Sequence, residues 1–178
     1  KKIYSYSSSD KSEITIKNSG VISHEGTNFQ IETSMIGDHF KSNIAGAICI
    51  AYLNGISIED SLLAIKHFPG VRRRAEFLGS TSGISIYDDY GHHPTEIDAT
   101  ITALKSYVKG KLYVVFQPHR YTRTQEHLER FRMSLLKADE AIVVDIYPSG
   151  ELPIPGVSSK NLEDKNIKYI KSMRAVPS

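Results

Sequence analysis

The sequence predicts an α/β protein whose second half forms a mostly parallel sheet. Two observations predict this class. After residue 70, apolar strand patterns alternate with helical patterns in the order strand, helix, strand, helix, strand. The strands KLYVVFQP and AIVVDIYP are also nearly continuous apolar runs, which are typical of strands covered on both faces. We therefore expect parallel strands joined by right-handed helical crossovers.

Composition limits the class of protein further. The chain has 178 residues, 40% of them hydrophobic and 24% charged, which is enough for one good core or two small ones. A net charge of +2, without aromatics interleaved among the basic residues, predicts no nucleic-acid partner. No apolar stretch is long enough for a membrane span, and the N-terminal residues show no signal region. The one cysteine, Cys49, excludes an internal disulfide and reads as a buried core thiol in a reducing compartment.

The first half of the chain is expected to end near Pro69–Gly70. SEITIKNSG and GVISHEGTNFQIETSM predict short strands with a tight turn around His24–Thr27. SNIAGAICIAYLNG predicts a buried helix that stops at Gly55. SIEDSLLAIKHFPG predicts a second helix, which Ser57 and Asp60 begin at capping-box spacing. No internal repeat is present.

The second half supplies the parallel sheet. GISIYDD is predicted to be its first strand, PTEIDATITALKSYV and QEHLERFRMSLLKADE its helices, and SSKNLEDKNIKYIKS a short helix with a last strand. Apolar side chains at helical spacing predict the buried helix faces. They are Ile97, Ile101, Leu104 and Val108 in the first helix, and Leu128, Phe131 and Leu135 in the second.

Three polar loops follow predicted strand ends. They are DDYGHHP (88–94), QPHRYTRT (117–124) and DIYPSGELPIPG (145–156). Ligands bind beyond the carboxyl ends of open parallel sheets, so all three loops are expected along one ligand-binding edge. Pro94 suits a first helical turn, and the free N–H groups of that turn would favour an anion. Gly91 would let the backbone approach the ligand closely.

The charged residues of these loops predict the ligand class. His92 and His93 lie in the first loop, and His119, Arg120 and Arg123 lie in the second. The segment GVRRRAEF adds Arg72, Arg73 and Arg74. Because arginine captures phosphate and carboxylate in a bidentate manner, we expect a phosphorylated or carboxylate substrate.

Plainer interpretations stay open for the same residues. The arginine run suits a solvated face, and the Asp88–Asp89 pair suits a turn and helix cap. A metal site made of His92, His93 and His119 is the other chemical option, although adjacent histidines on an extended backbone diverge. By the same alternation only one of the two aspartates can reach a ligand, and we expect that one to be Asp89.

Four motifs resemble those of the Mur ligase family. DDYGHHPTEI, FQPHRYTRT, DIYPSGE and GVRRR occur in the family's order over about residues 36–160. The set is most similar to the branch that joins L-alanine to UDP-N-acetylmuramate. The murein tripeptide ligase is the alternative within the family, since it shares the HHP element but generally not the PHRYTRT loop. A non-catalytic nucleotide- or anion-binding fragment is the alternative outside it.

The resemblance implies an ATP-dependent ligase of the bacterial cytoplasm that works through an acyl phosphate in peptidoglycan precursor synthesis. Mur ligases have a substrate-binding N-terminal domain, a central ATPase domain and a Rossmann-like C-terminal domain. Residues 1–70 resemble the end of the central domain and residues 71–178 most of the C-terminal domain. Nothing in the chain fits the phosphate-binding GxxxxGK[ST] loop. We therefore expect a fragment that is inactive by itself, whose partners are ATP, UDP-N-acetylmuramate and L-alanine and whose Mg²⁺ ligands lie mainly upstream.

The resemblance also implies roles for individual residues. One difference from the family is Phe40, which stands at the first Asn of a G-x-H-N-x-x-N adenine-contact element, while Asn43 keeps the second. The implied catalytic residues are His92, His119 and Arg123. The implied nucleotide-binding residues are Asn43, Arg73, Asp89 and His92. The implied substrate-binding residues are Arg74, Tyr90, His119, Arg120 and Arg123.

Overall fold

The computed structural model describes residues 6–7, 14–16 and 20–172. The chain divides into two compact units, Lys1–Asp88 and Asp89–Ser178. The domain boundary predicted at Gly70 stays a prediction. The stretch predicted to lack a signal region, residues 1–13, lies outside the described residues except for 6–7, and so does most of the SEITIKNSG segment. Within the described ranges no helix has the length and apolar character needed to cross a bilayer.

The first unit contains a four-stranded sheet whose strands lie side by side in chain order. The strands are β1 (Tyr6–Ser7), β2 (Ile14–Ile16), β3 (Val21–His24) and β4 (Thr27–Gln30). β1 runs parallel to β2, and the other pairs are antiparallel. Glu25 and Gly26 have φ angles of 48° and 79°, and such consecutive left-handed residues form the tight hairpin turn predicted between β3 and β4.

Two helices pack on this sheet. They are α1 (Asp38–Leu53) and α2 (Ile58–His67). Ser57 begins α2 as predicted, because its hydroxyl accepts the Asp60 N–H at 3.0 Å. Cys49 is buried, in agreement with the sequence. The core consists of Ile14, Ile22, Ile31, Ile44, Ala45, Ile48, Cys49 and Ile58.

A β-hairpin completes the first unit and corrects one prediction. GISIYDD does form a strand, β6 (Ile84–Asp88), but it pairs antiparallel with β5 (Glu76–Thr81) in a separate two-stranded sheet. Ser82 and Gly83 have φ angles of 49° and 81° and turn the chain back after two residues. β6 is therefore not a strand of the parallel sheet, because its neighbour along the chain pairs with it directly through a tight turn. β5 was missed because GVRRRAEF, which includes its first two residues, was interpreted as an anion-binding segment.

The second unit carries the predicted parallel sheet, which lacks the expected first strand GISIYDD and consists of the three later strands. Its strands β7 (Tyr113–Phe116), β8 (Glu140–Val143) and β9 (Ile167–Tyr169) are all parallel, in the order β7-β8-β9. Its helices are α3 (Pro94–Tyr107), α4 (Tyr121–Leu135) and a 3-10 turn at Ser159–Leu162. α4 begins earlier than the predicted Gln125. Of the residues predicted to face inward, Ile97, Ile101, Leu104, Phe131 and Leu135 are buried.

Candidate active site

Three segments of the second unit meet beyond the parallel strands. The segment after β8 extends its pairing with the segment after β7 through a parallel bridge between Tyr147 and His119. The Arg120 N–H donates to the Tyr147 carbonyl and the Tyr147 N–H to the Pro118 carbonyl, both at 2.8 Å. The loop before α3 approaches the same place, since the rings of His92 and His119 have centroids 6.3 Å apart. The sequence predicted this convergence, although the first loop follows a hairpin strand rather than a parallel one.

The N-terminus of α3 is capped by nearby side chains. Nδ1 of His93 accepts the Thr95 N–H at 3.3 Å, and Oε2 of Glu96 accepts the N–H groups of His92 and His93 at 3.1 Å each. This is a reciprocal capping box, with Pro94 at the first helical position. The His92 and His93 amides that were expected to face a ligand are therefore already bonded. Glu96 supplies the negative charge that the helix N-terminus favours.

Asp88 and Asp89 have different partners, and the expectation that only one of them reaches a ligand stays a prediction. Oδ2 of Asp88 lies 3.6 Å from Nε of Arg73 within the first unit. Asp89 accepts the Gly91 N–H at 2.7 Å and the Thr100 hydroxyl at 3.2 Å. A Cβ atom at Gly91 would lie 2.7 Å from Oδ1 of Asp89, so the glycine makes room for this carboxylate. The ribose contact implied for Asp89 stays a prediction.

The two adjacent histidines differ in role. The His93 ring turns to α4, where it packs against His127 with centroids 4.9 Å apart. Nδ1 of His92 instead lies 3.1 Å from the Tyr90 carbonyl and 3.5 Å from the Glu96 carboxylate. A carbonyl can only accept, so Nδ1 of His92 is the donor in this contact. Nε2 of His92 is thus the ring nitrogen that takes no part in these two contacts.

His119 has the opposite tautomer. Nη1 of Arg123 lies 3.3 Å from Nδ1 of His119, and a guanidinium can only donate. Nδ1 is therefore the acceptor, and the neutral ring carries its hydrogen on Nε2. Burial lowers the pKa of His119, and the positive charges of Arg123 and Arg120 lower it further. The ring is neutral near pH 7 and can donate a hydrogen bond to an anion from Nε2.

Three implied site residues belong to the first unit. Asn43 is exposed on α1, whereas Phe40 is buried and its ring lies 4.2 Å from that of His39. Phe40 is therefore a packing residue. The Arg73 N–H donates to Oε2 of Glu76 at 2.7 Å, and the side chains of Arg73 and Arg74 are exposed. The nucleotide contacts implied for Asn43 and Arg73 stay predictions.

The histidines do not assemble the alternative metal site. Among the residues that the structure describes, no group of three His, Cys, Asp or Glu side chains is placed to hold a metal ion. His93 is taken up by the helix cap and by His127, so only His92 and His119 face each other. The second unit is an α/β domain that presents arginine and histidine donors at the carboxyl edge of a parallel sheet, which suits an anionic substrate.

The family model for the glutamate ligase domain of Mur ligases matches residues 73–177, which is more than half of the chain. The chain therefore belongs to the Mur ligase family. The UDP-N-acetylmuramate–L-alanine ligase of Geotalea daltonii is 46% identical over 133 residues, covering 75% of this chain and 29% of the relative. That of Bdellovibrio bacteriovorus is 42% identical over 134 residues, covering 75% and 30%. That of Cutibacterium acnes is 35% identical over 186 residues, covering 99% and 40%. The chain thus spans less than half the length of these relatives.

Solved structures agree on the fold. The UDP-N-acetylmuramate–alanine ligase of Thermotoga maritima superposes with a TM-score of 0.72 at 24% identity, covering 92% of this chain and 38% of that one. MurF of Acinetobacter baumannii superposes with a TM-score of 0.70 at 16% identity, covering 95% and 37%. These similarities confirm the α/β class and the mostly parallel, Rossmann-like sheet of the Mur ligase C-terminal domain.

Several residues that shape the site were not singled out as site residues from the sequence. Glu96 orients His92, and its position three residues after His93 is capping-box spacing, which could have revealed it. Tyr147 contacts the loop after β7 and Glu151 contacts the first turn of α4, and both lie in the DIYPSGE motif without a predicted partner. Their role depends on pairing between segments that are far apart in the chain, which local patterns do not encode.

Proposed function

We propose that this chain is part of an ATP-dependent ligase that joins L-alanine to UDP-N-acetylmuramate through an acyl phosphate. The observation that carries the proposal is the approach of the His92 and His119 rings, whose centroids lie 6.3 Å apart, with Nδ1 of His92 beside the Tyr90 carbonyl and Nδ1 of His119 beside Arg123. We propose that Nε2 of His92 acts as proton acceptor and His119 as neutral donor. Support for the reaction comes from the relatives, at 35–46% identity, that carry this ligase name.

The proposed reaction needs both a proton acceptor and a hydrogen-bond donor. ATP transfers its γ-phosphoryl group to the muramoyl carboxylate. The amine of L-alanine then attacks the acyl carbon, the C–N bond forms, and the C–O bond to phosphate breaks with the electron pair leaving on phosphate. The attacking amine must lose a proton, and the tetrahedral oxyanion and departing phosphate must be stabilised.

The second unit supplies a residue for each requirement. Nε2 of His92 takes the amine proton, and the Glu96 carboxylate behind Nδ1 stabilises the resulting imidazolium. Arg120 and Arg123 neutralise the L-alanine carboxylate and the acyl phosphate. His119 donates its Nε2–H to the developing oxyanion, as a neutral donor held by Arg123. Tyr90, whose ring lies 5.3 Å from that of His92, borders the same place.

The nucleotide side of the proposal rests on the resemblance. Asn43, Arg73 and Asp89 are the residues proposed to contact ATP, and Arg74 the substrate. Mg²⁺ would neutralise the negative charge of the ATP phosphates, and its protein ligands are expected mainly outside these residues. The proposed setting is the bacterial cytoplasm, where peptidoglycan precursors are made.

The test uses the complete protein that contains these residues. Phosphate release is measured with Mg²⁺, ATP and UDP-N-acetylmuramate while L-alanine, D-alanine, glycine and the murein tripeptide are offered in turn. L-alanine should give the highest kcat/KM. A preference for the tripeptide would favour the murein tripeptide ligase, and no nucleotide consumption with any acceptor would favour a binding module.

Adjacent histidines provide a matched pair of variants for the same assay. His92→Asn should lower kcat by about 10²-fold or more, because the proton acceptor is lost. His93→Asn should stay within a few fold of wild type, since asparagine is a favourable N-cap residue. Equal losses in the two variants would contradict the assignment of His92 as proton acceptor and His93 as helix cap.

A further inference from the structure

The segment after β8 fixes the backbone of the proposed substrate loop. Tyr147 exchanges two main-chain hydrogen bonds with Pro118 and Arg120, both at 2.8 Å. Its ring stacks on that of His119 with centroids 5.5 Å apart and planes 29° apart. The segment 145–151 therefore holds both the main chain of the loop at 117–123 and the ring of His119 in that loop.

Glu151 connects the segment 145–151 to the first turn of α4. Its Oε1 accepts the Thr122 hydroxyl at 2.7 Å, and its Oε2 accepts the Thr122 N–H at 3.1 Å. These two bonds, the hydroxyl first, lower the pKa of Glu151. The N-cap residue Arg120 forms no side-chain cap, so the cap of α4 is supplied by Glu151 from another part of the chain.

The two hydrogen bonds from Thr122 to Glu151 form a clamp, and the backbone conformation of Arg120 shows why this clamp is required. Its φ of 75° lies in the left-handed region, which non-glycine residues adopt only when the surroundings impose it. Its N–H is held by Tyr147, and its carbonyl accepts the N–H and hydroxyl of Thr124 at 3.2 and 2.8 Å. Strain at this residue orients the next turn, on which Arg123 reaches His119. Release of the clamp would let the two arginines separate.

The negative charge of Glu151 lies close to a site that is proposed to bind anions. A carboxylate beside a site for anions repels the substrate unless its oxygens are already engaged. Both oxygens of Glu151 are bonded to Thr122, at the positive end of α4. Its negative charge is thus balanced at the helix N-terminus and by the nearby Arg120, and it raises the pKa of His119 by less than burial and the two arginines lower it.

We propose that Glu151 is a positioning residue for amino-acid binding, which acts through Thr122 to hold Arg120 and Arg123 in the geometry that receives the amino-acid carboxylate and the acyl phosphate. The identity of those ligands rests on the function proposed above. Glu151 itself touches no substrate. It sets the conformation of the residues that do.

The test compares variants of the complete protein. Glu151→Gln and Thr122→Val each remove part of the clamp, whereas Thr122→Ser keeps the hydroxyl donor. Glu129→Gln is the control on the same helix, since Glu129 pairs with Arg132, three residues on, and lies away from the clamp. Glu151→Gln and Thr122→Val should raise the KM for L-alanine about tenfold, corresponding to one lost charge-assisted bond, and leave the KM for ATP within about twofold. Thr122→Ser and Glu129→Gln should match wild type. A parallel rise of both KM values would overturn the positioning role.

Amide hydrogen exchange provides a readout that does not depend on the substrate. In Glu151→Gln the amides of residues 120–124 should exchange about tenfold faster, while those of α3 stay unchanged. Unchanged exchange at 120–124 would overturn the inference even if turnover fell. If the wild-type protein does not use L-alanine, the proposed function fails, and the exchange result still decides whether Glu151 clamps the loop.

Discussion

Replacing Gly91 with alanine should destabilise the second unit by about 2 kcal/mol. The added Cβ would lie 2.7 Å from Oδ1 of Asp89 and 3.4 Å from Cγ1 of Ile97. The backbone at Gly91 does not have a positive φ, so the penalty comes from the contact and not from the conformation. Relief requires the Asp89 carboxylate to move, which breaks its bonds to the Gly91 N–H and the Thr100 hydroxyl. Overpacking and a lost bond to a charged group, discounted because Asp89 is partly exposed, together give this magnitude.

The assay is urea unfolding followed by circular dichroism, and the control is Gly110→Ala. Gly110 lies in the same unit with nothing within 4 Å of an added Cβ and no positive φ, so its alanine variant should be neutral or slightly stabilising. A double-mutant cycle isolates the cause. In an Asp89→Ala background the Gly91→Ala change should cost less than about 0.5 kcal/mol, because the clashing carboxylate is gone. A Gly91→Ala variant as stable as wild type, or an equal loss in both backgrounds, would refute the reasoning.

Three further predictions address the core, the titration of the site and the isolated chain. Phe131→Ala should cost about 3–5 kcal/mol in urea unfolding, because this fully buried ring packs 5.3 Å from Phe116. NMR titration should show a His119 pKa below 6.5, and Arg123→Ala should raise this pKa only in part because burial is the larger cause. The free energy of unfolding should fall as the pH drops below about 6.5, because the unfolded chain then takes up the proton more readily than the folded one. The 178 residues alone should release no phosphate from ATP in the presence of UDP-N-acetylmuramate and L-alanine, since the sequence has no GxxxxGK[ST] loop to hold the β- and γ-phosphates.

Periodicity predicted the elements whose burial is decided locally. Ile97, Ile101 and Leu104 recur at helical spacing and form the buried face of α3. Ser57 capped α2 as its spacing indicated, and the continuous apolar runs around 113–116 and 140–143 became parallel strands. The helical spacing, the cap and the apolar run of each strand are patterns of residues within a few positions of one another, whereas the pairing of the strands is not.

Long-range pairing was the part that local patterns did not contain. β6 looked like a first parallel strand, but Ser82 and Gly83 favoured a hairpin with β5. The polar residues of the first loop looked available for a ligand, yet Glu96 and Asp89 bind the backbone N–H groups of that loop. An isolated sequence does not show which polar groups fold back on their own backbone.

The candidate site was predicted in its composition more than in its hydrogen bonding. His92, His119 and Arg123 were singled out, and the structure brings them together in the second unit. The difference in role between His92 and His93 depends on the cap of α3, and the tautomer of His119 depends on Arg123, so both needed atomic distances.

The proposed function depends above all on the loop containing Arg123 receiving the amino acid and the acyl phosphate rather than the nucleotide. The most direct test measures Arg123→Ala in the complete protein, with the KM for L-alanine, the affinity for ATP and the melting temperature determined side by side. We predict that kcat/KM for L-alanine falls by about 10²-fold or more, while ATP affinity stays within about threefold and the melting temperature changes little. Near-normal turnover with L-alanine, or a loss of ATP affinity as large as the loss for L-alanine, would contradict this role of the loop.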